Sequence, residues 1–389
     1  MTNFDNRVDR TGTGAAKWDF APKHITSAGH VPLTIADMEF RTAPAIIRAV
    51  ERGASHGVFG YTYPDDEYFN ALKGFMKRHH DWDVEREWLH TTAGVVQALR
   101  ICVAAYTSAG DSAIIQPPVY PPFRSAVLDA GRNLLENPLI NNDGHYEIDF
   151  DDLERKCADP TAKLLILCSP HNPVGRVWTR RELAAMNEIA LRHGVTILSD
   201  EIHGELILPG YKHTTLATIE EAKENCVICT AMSKTFNLAG MACSNIFIPN
   251  EALRTRFADA AKTMGSFGVP ALSRYAAIAA FTESDDWLRD LLEYINGNFE
   301  YLYDFISARL PMLKCTRCEG TYLAWVDMRA LGLDDAALED MNINKALLAL
   351  DEGYIFGANG SGFERINLAI PRSELKAALE RLESAIKSL

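Results

Sequence analysis

Between about residues 85 and 250 the chain alternates amphipathic, helix-like stretches with short apolar runs at 112–116, 163–168, 195–199, 226–230 and 245–248. Apolar runs of strand length separated by helix-length segments predict a mostly parallel central sheet covered by helices, an α/β arrangement. After residue 285 the pattern changes to long amphipathic helices, strand-like patches at 321–327, 348–350 and 365–369, and a closing helix from Ser373. This predicts a smaller α+β domain built from residues 285–389 together with 1–45, beside a large domain at 46–284. The first 45 residues lack the alternation, so they are expected to join the smaller domain or to wrap a neighbouring subunit.

In such sheets ligands gather at the carboxyl ends of the strands. The unusual residues of this chain fall at those places: 117–122, 169–175, 200–203 and Ser233-Lys234. Pattern alone therefore points to a site before any residue is given a role.

Composition narrows what the site meets. The chain has 389 residues, 47% of them hydrophobic, enough for a large core. A formal charge of -13 argues against a general nucleic-acid or anionic-membrane surface, so an anionic ligand requires a local site. No run reaches the ~18 apolar residues of a membrane span, and residues 1–10 are polar rather than signal-like, which predicts a cytoplasmic protein. Two Cys-x-x-Cys pairs, Cys226/Cys229 and Cys315/Cys318, lack the Gly or polar knuckle residues usual between zinc ligands. They read as core positions, and no metal is expected.

Lys234 follows the apolar run ending near Thr230 and precedes the small-residue stretch 238–244. A lysine emerging from a strand end into a crowded interior has its ammonium form disfavoured, as a Schiff-base amine requires. An ordinary solvated lysine is the alternative. Asp200 ends a second run, where a carboxylate can pair with a pyridinium nitrogen or simply cap the next segment. Asn172, between His171 and Pro173, is pushed out of helical geometry, leaving its amide free for a phenolic oxygen; the plain reading is a turn. Gly94 and Val95 open a helical run where backbone N–H groups can approach a phosphate. Tyr120, on the proline-rich loop, suits stacking over a planar ring, although core packing is the commoner use. Arg365 opens a strand and can grip a carboxylate bidentately, or form a surface ion pair.

Together these loops, with Ile35-Ala36-Asp37-Met38-Glu39-Phe40, Phe59-Gly60-Tyr61, Thr321-Tyr322-Leu323-Ala324-Trp325, Phe356-Gly357 and Gly362-Phe363-x-Arg365, resemble the fold-type I pyridoxal-phosphate enzymes. Within that aminotransferase class I/II superfamily the chain resembles the MalY/PatB-type cystathionine β-lyases along nearly its whole length. The resemblance implies pyridoxal 5'-phosphate bonded to Lys234 and the catalytic use of that lysine. It also implies Asp200 on the pyridine nitrogen, Asn172 and His203 on the phenolic-oxygen side, and Tyr120 over the ring. Gly94, Val95, Thr230 and Ser233 would hold the phosphate, with Tyr61 reaching it from the partner of a homodimer. Arg365, with Tyr120 and Asp37, would receive the substrate. Aminotransferases of this fold usually carry an arginine eight residues beyond the lysine; here that place is Ala242, as in the β-lyases. Glu352 stands where the subgroup commonly has proline before Gly353. The implied reaction is cleavage of L-cystathionine or other S-substituted L-cysteines to a thiol, pyruvate and ammonia. An aminotransferase and a cofactor-binding regulatory or interaction protein are the alternatives.

Overall fold

The computed structural model describes residues 2–20, 29–266 and 268–389. Its strands, in chain order, are β1 (Val31–Pro32), β2 (Leu89–Thr92), β3 (Ser112–Ile115), β4 (Asn133–Glu136), β5 (Ile140–Asn142), β6 (His145–Glu147), β7 (Ala162–Cys168) and β8 (Thr196–Asp200). They continue as β9 (Cys226–Thr230), β10 (Ser244–Phe247), β11 (Lys314–Cys315), β12 (Leu323–Asp327), β13 (Leu348–Ala349), β14 (Asp351–Glu352) and β15 (Phe363–Asn367). Seven of these form the central sheet, in the order β2-β10-β9-β8-β7-β3-β4. Only β10 runs against its neighbours; the pairs from β9 through β4 are parallel. The expected mostly parallel α/β sheet is therefore present, with two strands that the apolar runs did not reveal, β2 and β4.

Alternation within the strands explains the layering. Leu164, Ile166, Leu198, Val227, Cys229 and Ile246 belong to a core shared with the helix Val95–Tyr106, whereas Leu165, Leu167, Ile197, Ile228 and Phe247 belong to the larger core on the other side. Successive side chains of a strand point to opposite faces, so continuous apolar runs are what a sheet covered on both faces needs. Cys226 and Cys229 are buried members of β9.

A second sheet, in the order β11-β12-β15-β14, is antiparallel throughout. The predicted strand at 348–350 does not join it: β13 instead pairs in parallel with β1. The N-terminal segment also packs against the helix Asp285–Arg309, where Phe4 meets Trp287 and Tyr294, and the Thr2 N–H bonds Asp290 at 2.8 Å.

The register of β14 on β15 has a cost. Glu352 lies directly opposite Glu364, which is 1% exposed and has one carboxylate oxygen without a partner among the described residues. Burial pushes both carboxyls up, and Asp351, Glu339 and Asp335 add negative charge around Glu364. A carboxyl raised in the folded state contributes stability at low pH and loses it as pH rises. Glu352→Gln is accordingly expected to raise the melting temperature at pH 8 by ~1–2 °C, in line with a cross-strand repulsion of under ~1 kcal/mol. Thermal denaturation at pH 5 should show a smaller gain; an equal or larger gain at pH 5 refutes the like-charge account.

Candidate active site

Five chain segments leave the carboxyl ends of the central strands side by side. Asp200 closes β8 and the loop after it carries His203, while the loop after β9 leads into the short helix Met232–Thr235 with Ser233 and Lys234. The loop after β7 carries Asn172, the one after β3 carries Tyr120, and β2 runs through Gly94 into the helix Val95–Tyr106. Parallel strands put all these ends on one edge, which is why residues up to 140 positions apart in sequence share a site.

Lys234 donates from Nζ to the carbonyl of Ala36 at 2.6 Å. Desolvation, followed by the Arg365 charge, lowers its amine to about 8, against the opposing pull of Asp37 and Asp200. Asp200 is 3% exposed and accepts from the Ile202 N–H at 3.1 Å. Burial pushes its carboxyl up to about 7, a shift moderated by the Ile202 N–H and by Lys234. His203 is also buried, with Nδ1 lacking a partner among the described residues, and its ring meets the edge of Tyr322 at 6.1 Å. Desolvation holds this imidazole well below its ordinary range, so it is neutral.

Arg365, on β15, reaches the opposite wall. Its Nη1 donates to Asn172 Oδ1 at 2.9 Å, its Nη2 pairs with Asp351, and the guanidinium lies 5.0 Å from the centre of the Phe356 ring. Asn172 is thereby tied to the arginine across 193 residues of sequence. Tyr120 is raised by burial and by the Asp200 charge, with Arg365 opposing, so it shares the electrostatic field of both.

Gly94 adopts φ 131° and ψ 158°, a conformation reserved for glycine, with open space where a Cβ would be. The first intrahelical bonds run from Gln97 and Ala98 back to the Gly94 carbonyl, so the amides of Gly94 and Val95 precede the hydrogen-bonded helix. Thr230 and Ser233 are buried at the end of β9 and just beyond it.

Two predicted residues stand apart. Tyr61 is 91% exposed and lines a surface cavity of about 720 Å³ with Phe59, Met241, Ala242 and Gly268. Asp37 does not offer a free carboxylate: Arg10 Nη2 and Lys17 Nζ both bind it at 2.7 Å. Although burial pushes the Asp37 carboxyl up, the Arg10 hydrogen bond and the Lys17 charge hold it below its ordinary value. What this segment brings to the site is the main-chain carbonyl of Ala36, which also accepts from Tyr322 Oη at 2.8 Å. A backbone group leaves no mark on residue type, so it was not legible beforehand. Asp351 was missed as well, although a carboxylate two positions before a glycine-rich turn gives little signal.

The buried groups fit a planar, cationic ring bearing an anion. Asp200 makes no ion pair among the described residues, and a pyridinium N–H would supply its missing partner; the open Gly94 corner admits a phosphate to backbone amides.

Comparisons with known proteins agree along the whole length. The chain is 41% identical over 385 residues to the cystathionine beta-lyase PatB of Bacillus subtilis (strain 168), covering 99% of this chain and 100% of that protein. It is 32% identical to the protein MalY of Escherichia coli (strain K12), with complete coverage of both. Its structure matches that of cystalysin from Treponema denticola, which contains a pyridoxal 5'-phosphate cofactor, with a TM-score of 0.96 and 41% identity over 100% of this chain and 99% of the other. The model of aminotransferase class I and II matches residues 29–382. With its mostly parallel sheet, its strand-end lysine and these full-length matches, the chain belongs to the aminotransferase class I and II family.

Proposed function

We propose that this protein is a pyridoxal-phosphate-dependent carbon–sulfur β-lyase that cleaves L-cystathionine or related S-substituted L-cysteines. The observation that carries this reading is the full-length 41% identity to a cystathionine beta-lyase around a desolvated lysine that lies in the field of Arg365. Lys234 would hold the cofactor covalently, Asp200 would pair with its ring nitrogen, and Asn172 and His203 would serve its phenolic oxygen. Tyr120 covers the ring, while Gly94, Val95, Thr230 and Ser233 receive the phosphate. When bound, pyridoxal phosphate supplies an aldehyde for amine exchange and a conjugated ring that withdraws the electrons left by a lost α-proton.

The protein's own groups set the course around that chemistry. Arg365, pre-aligned by Asn172 and Asp351, takes the substrate α-carboxylate and thereby turns the single α-hydrogen toward Lys234. An amine lowered to about 8 is substantially neutral at mildly alkaline pH, which suits Lys234 to remove that proton. The β-carbon then expels the thiolate, which gains a proton, and hydrolysis of the remaining three-carbon enamine yields pyruvate and ammonia. Ala242, at the place where an arginine is usual in aminotransferases, supports the lyase over the transaminase reading.

We also propose a homodimer in which Tyr61 reaches the partner's phosphate site. Its exposed neighbours Val58, Phe59 and Tyr63 support that reading, each being at least 61% exposed. A large domain at 46–284, a small one from 1–45 and 285–389, and a cytoplasmic location complete the proposal; among the described residues no helix is long and apolar enough to cross a membrane.

Purified protein given L-cystathionine without any keto acid is expected to release pyruvate and a free thiol in equal amounts, read by coupled lactate dehydrogenase and a thiol reagent. Turnover that strictly requires an added keto acid would overturn the lyase reading in favour of transamination.

A further inference from the structure

The Ala36 carbonyl that meets Lys234 belongs to a strap, residues 34–40, whose shape is imposed from outside the site. Ile35 has φ 34°, and the Asp37 N–H closes back onto the Ile35 carbonyl at 2.7 Å, a bend that turns the Ala36 carbonyl toward Lys234 and Tyr322. Two asparagines fix the main chain of the strap. Asn367 Nδ2 donates to the carbonyls of Ile35 at 2.9 Å and Asp37 at 2.8 Å, and Asn237 bonds both the N–H and the carbonyl of Met38 at 3.0 Å.

Neither asparagine neutralises the two carboxylates that the strap buries, Asp37 and Glu39. That falls to Arg10 and Lys17 of the N-terminal segment. The Lys17 side chain is 0% exposed, and its Nζ binds Asp37 Oδ1 at 2.7 Å, the Asp37 carbonyl at 2.9 Å and Glu39 Oε1 at 3.1 Å. Arg10 bridges the same two acids, and Trp18 Nε1 donates to the second oxygen of Glu39 at 3.0 Å. Two cations thus balance two anions in a quartet whose Lys17 and Glu39 are buried and whose Arg10 and Asp37 are partly exposed. Removing Lys17 leaves Arg10 alone to serve both acids, so the cluster carries one uncompensated negative charge around the buried Glu39, a burden the strap can relieve by moving.

We propose that Lys17 is a positioning residue for the Lys234 amine: by pairing Asp37 and Glu39 it holds the strap so that the Ala36 carbonyl fixes where Nζ rests. This deepens the reading of Lys234 as the catalytic amine and rests on it. The N-terminal segment is then part of the working site rather than a tether.

The test uses the purified holoenzyme and the substitution Lys17→Met, which keeps bulk and removes charge. The pH midpoint of the bound cofactor's visible absorbance is expected to rise by about one unit, because Asp37 and Glu39 gain net negative charge beside the site. With L-cystathionine, kcat should fall about 10-fold with KM changed less than about 2-fold, the pattern of a misplaced proton-transfer group rather than of lost substrate binding. Lys17→Arg should restore both readings toward those of the wild type. A Lys17→Met midpoint and kcat matching the wild type, or no recovery of either in Lys17→Arg, would overturn the proposal. If Lys17→Met does not accumulate folded, Arg10→Gln removes the other cation of the same quartet, with Arg10→Lys as the restoring variant, and an unchanged midpoint and kcat in Arg10→Gln, or no recovery in Arg10→Lys, overturns the proposal. The absorbance needs bound cofactor but no β-elimination, so a failure of the lyase reading shows in the wild type and a failure of this one shows in the variant.

Discussion

Lys234→Ala is expected to abolish pyruvate release from cystathionine, with kcat reduced by ~10³-fold or more. Two functions are lost together, the covalent hold on the cofactor and the amine that moves the α-proton. Borohydride reduction followed by peptide mass measurement separates the first from the second: the wild-type peptide spanning Lys234 should gain the mass of the cofactor, and the variant should gain none. Folding cannot explain the loss. Desolvation lowers the amine to about 8 in the folded chain, below the ordinary lysine value, so the ammonium form is disfavoured by folding. That penalty is fully present below pH 8 and fades as pH rises toward the unfolded value. The cofactor-free variant should therefore melt no lower than the cofactor-free wild type at pH 7, with the difference shrinking by pH 10. A variant that keeps wild-type turnover and borohydride-stable cofactor would remove Lys234 from the site.

Much of this arrangement is written in residue type, because fully covered parallel strands need uninterrupted apolar runs. β7, β8 and β9 are such runs, and each leads to a residue proposed for the site: Asn172 lies four positions beyond Cys168, Asp200 closes its strand, and Lys234 follows Thr230 by four positions. β4 escaped notice because it is an edge strand whose first residue is exposed and whose last is a glutamate. β2, with the sequence Leu-His-Thr-Thr, carries only one strongly apolar residue and is mostly half-buried. The patch at 348–350 was correctly strand-like, but its partner, Val31–Pro32, lies more than 300 residues away, and no local pattern encodes such a pairing.

The site shows the same division. Side chains on loops between strong strands were legible, whereas groups supplied by irregular segments were not. Arg10 and Lys17 are single charges in a stretch without periodicity, and only the fold shows them converging on Asp37 and Glu39. Asp37 itself was expected to face the substrate, yet its carboxylate is paired with Arg10 and Lys17, and Ala36 meets Lys234 through its backbone.

Asp200→Asn is expected to lower kcat/KM by ~10²–10³-fold, the usual loss when one preorganised electrostatic partner is removed from a reacting centre. Asparagine retains the shape and the Ile202 N–H contact but cannot hold a proton-bearing ring nitrogen as its counter-ion, so the ring's capacity to withdraw electrons drops. The stability of the cofactor-free chain should move the other way. Burial raises the Asp200 carboxyl to about 7 in the folded state, above the ordinary aspartate value of 3.8, so its contribution is intact below pH 4 and disappears as pH climbs through 7. At pH 8 the wild-type chain holds a buried, unpaired carboxylate, and a neutral amide should relieve up to ~4 kcal/mol of that burden. Added cofactor should reverse the order, because a positive ring stabilises the wild type through its bound state and the variant far less. Thermal denaturation of both proteins at pH 5 and pH 8, with and without cofactor, reads all four terms. An Asp200→Asn protein that keeps more than a tenth of wild-type kcat/KM, or that melts below the wild type at pH 8 in the absence of cofactor, would show that Asp200 is not the unpaired acid waiting for a cation.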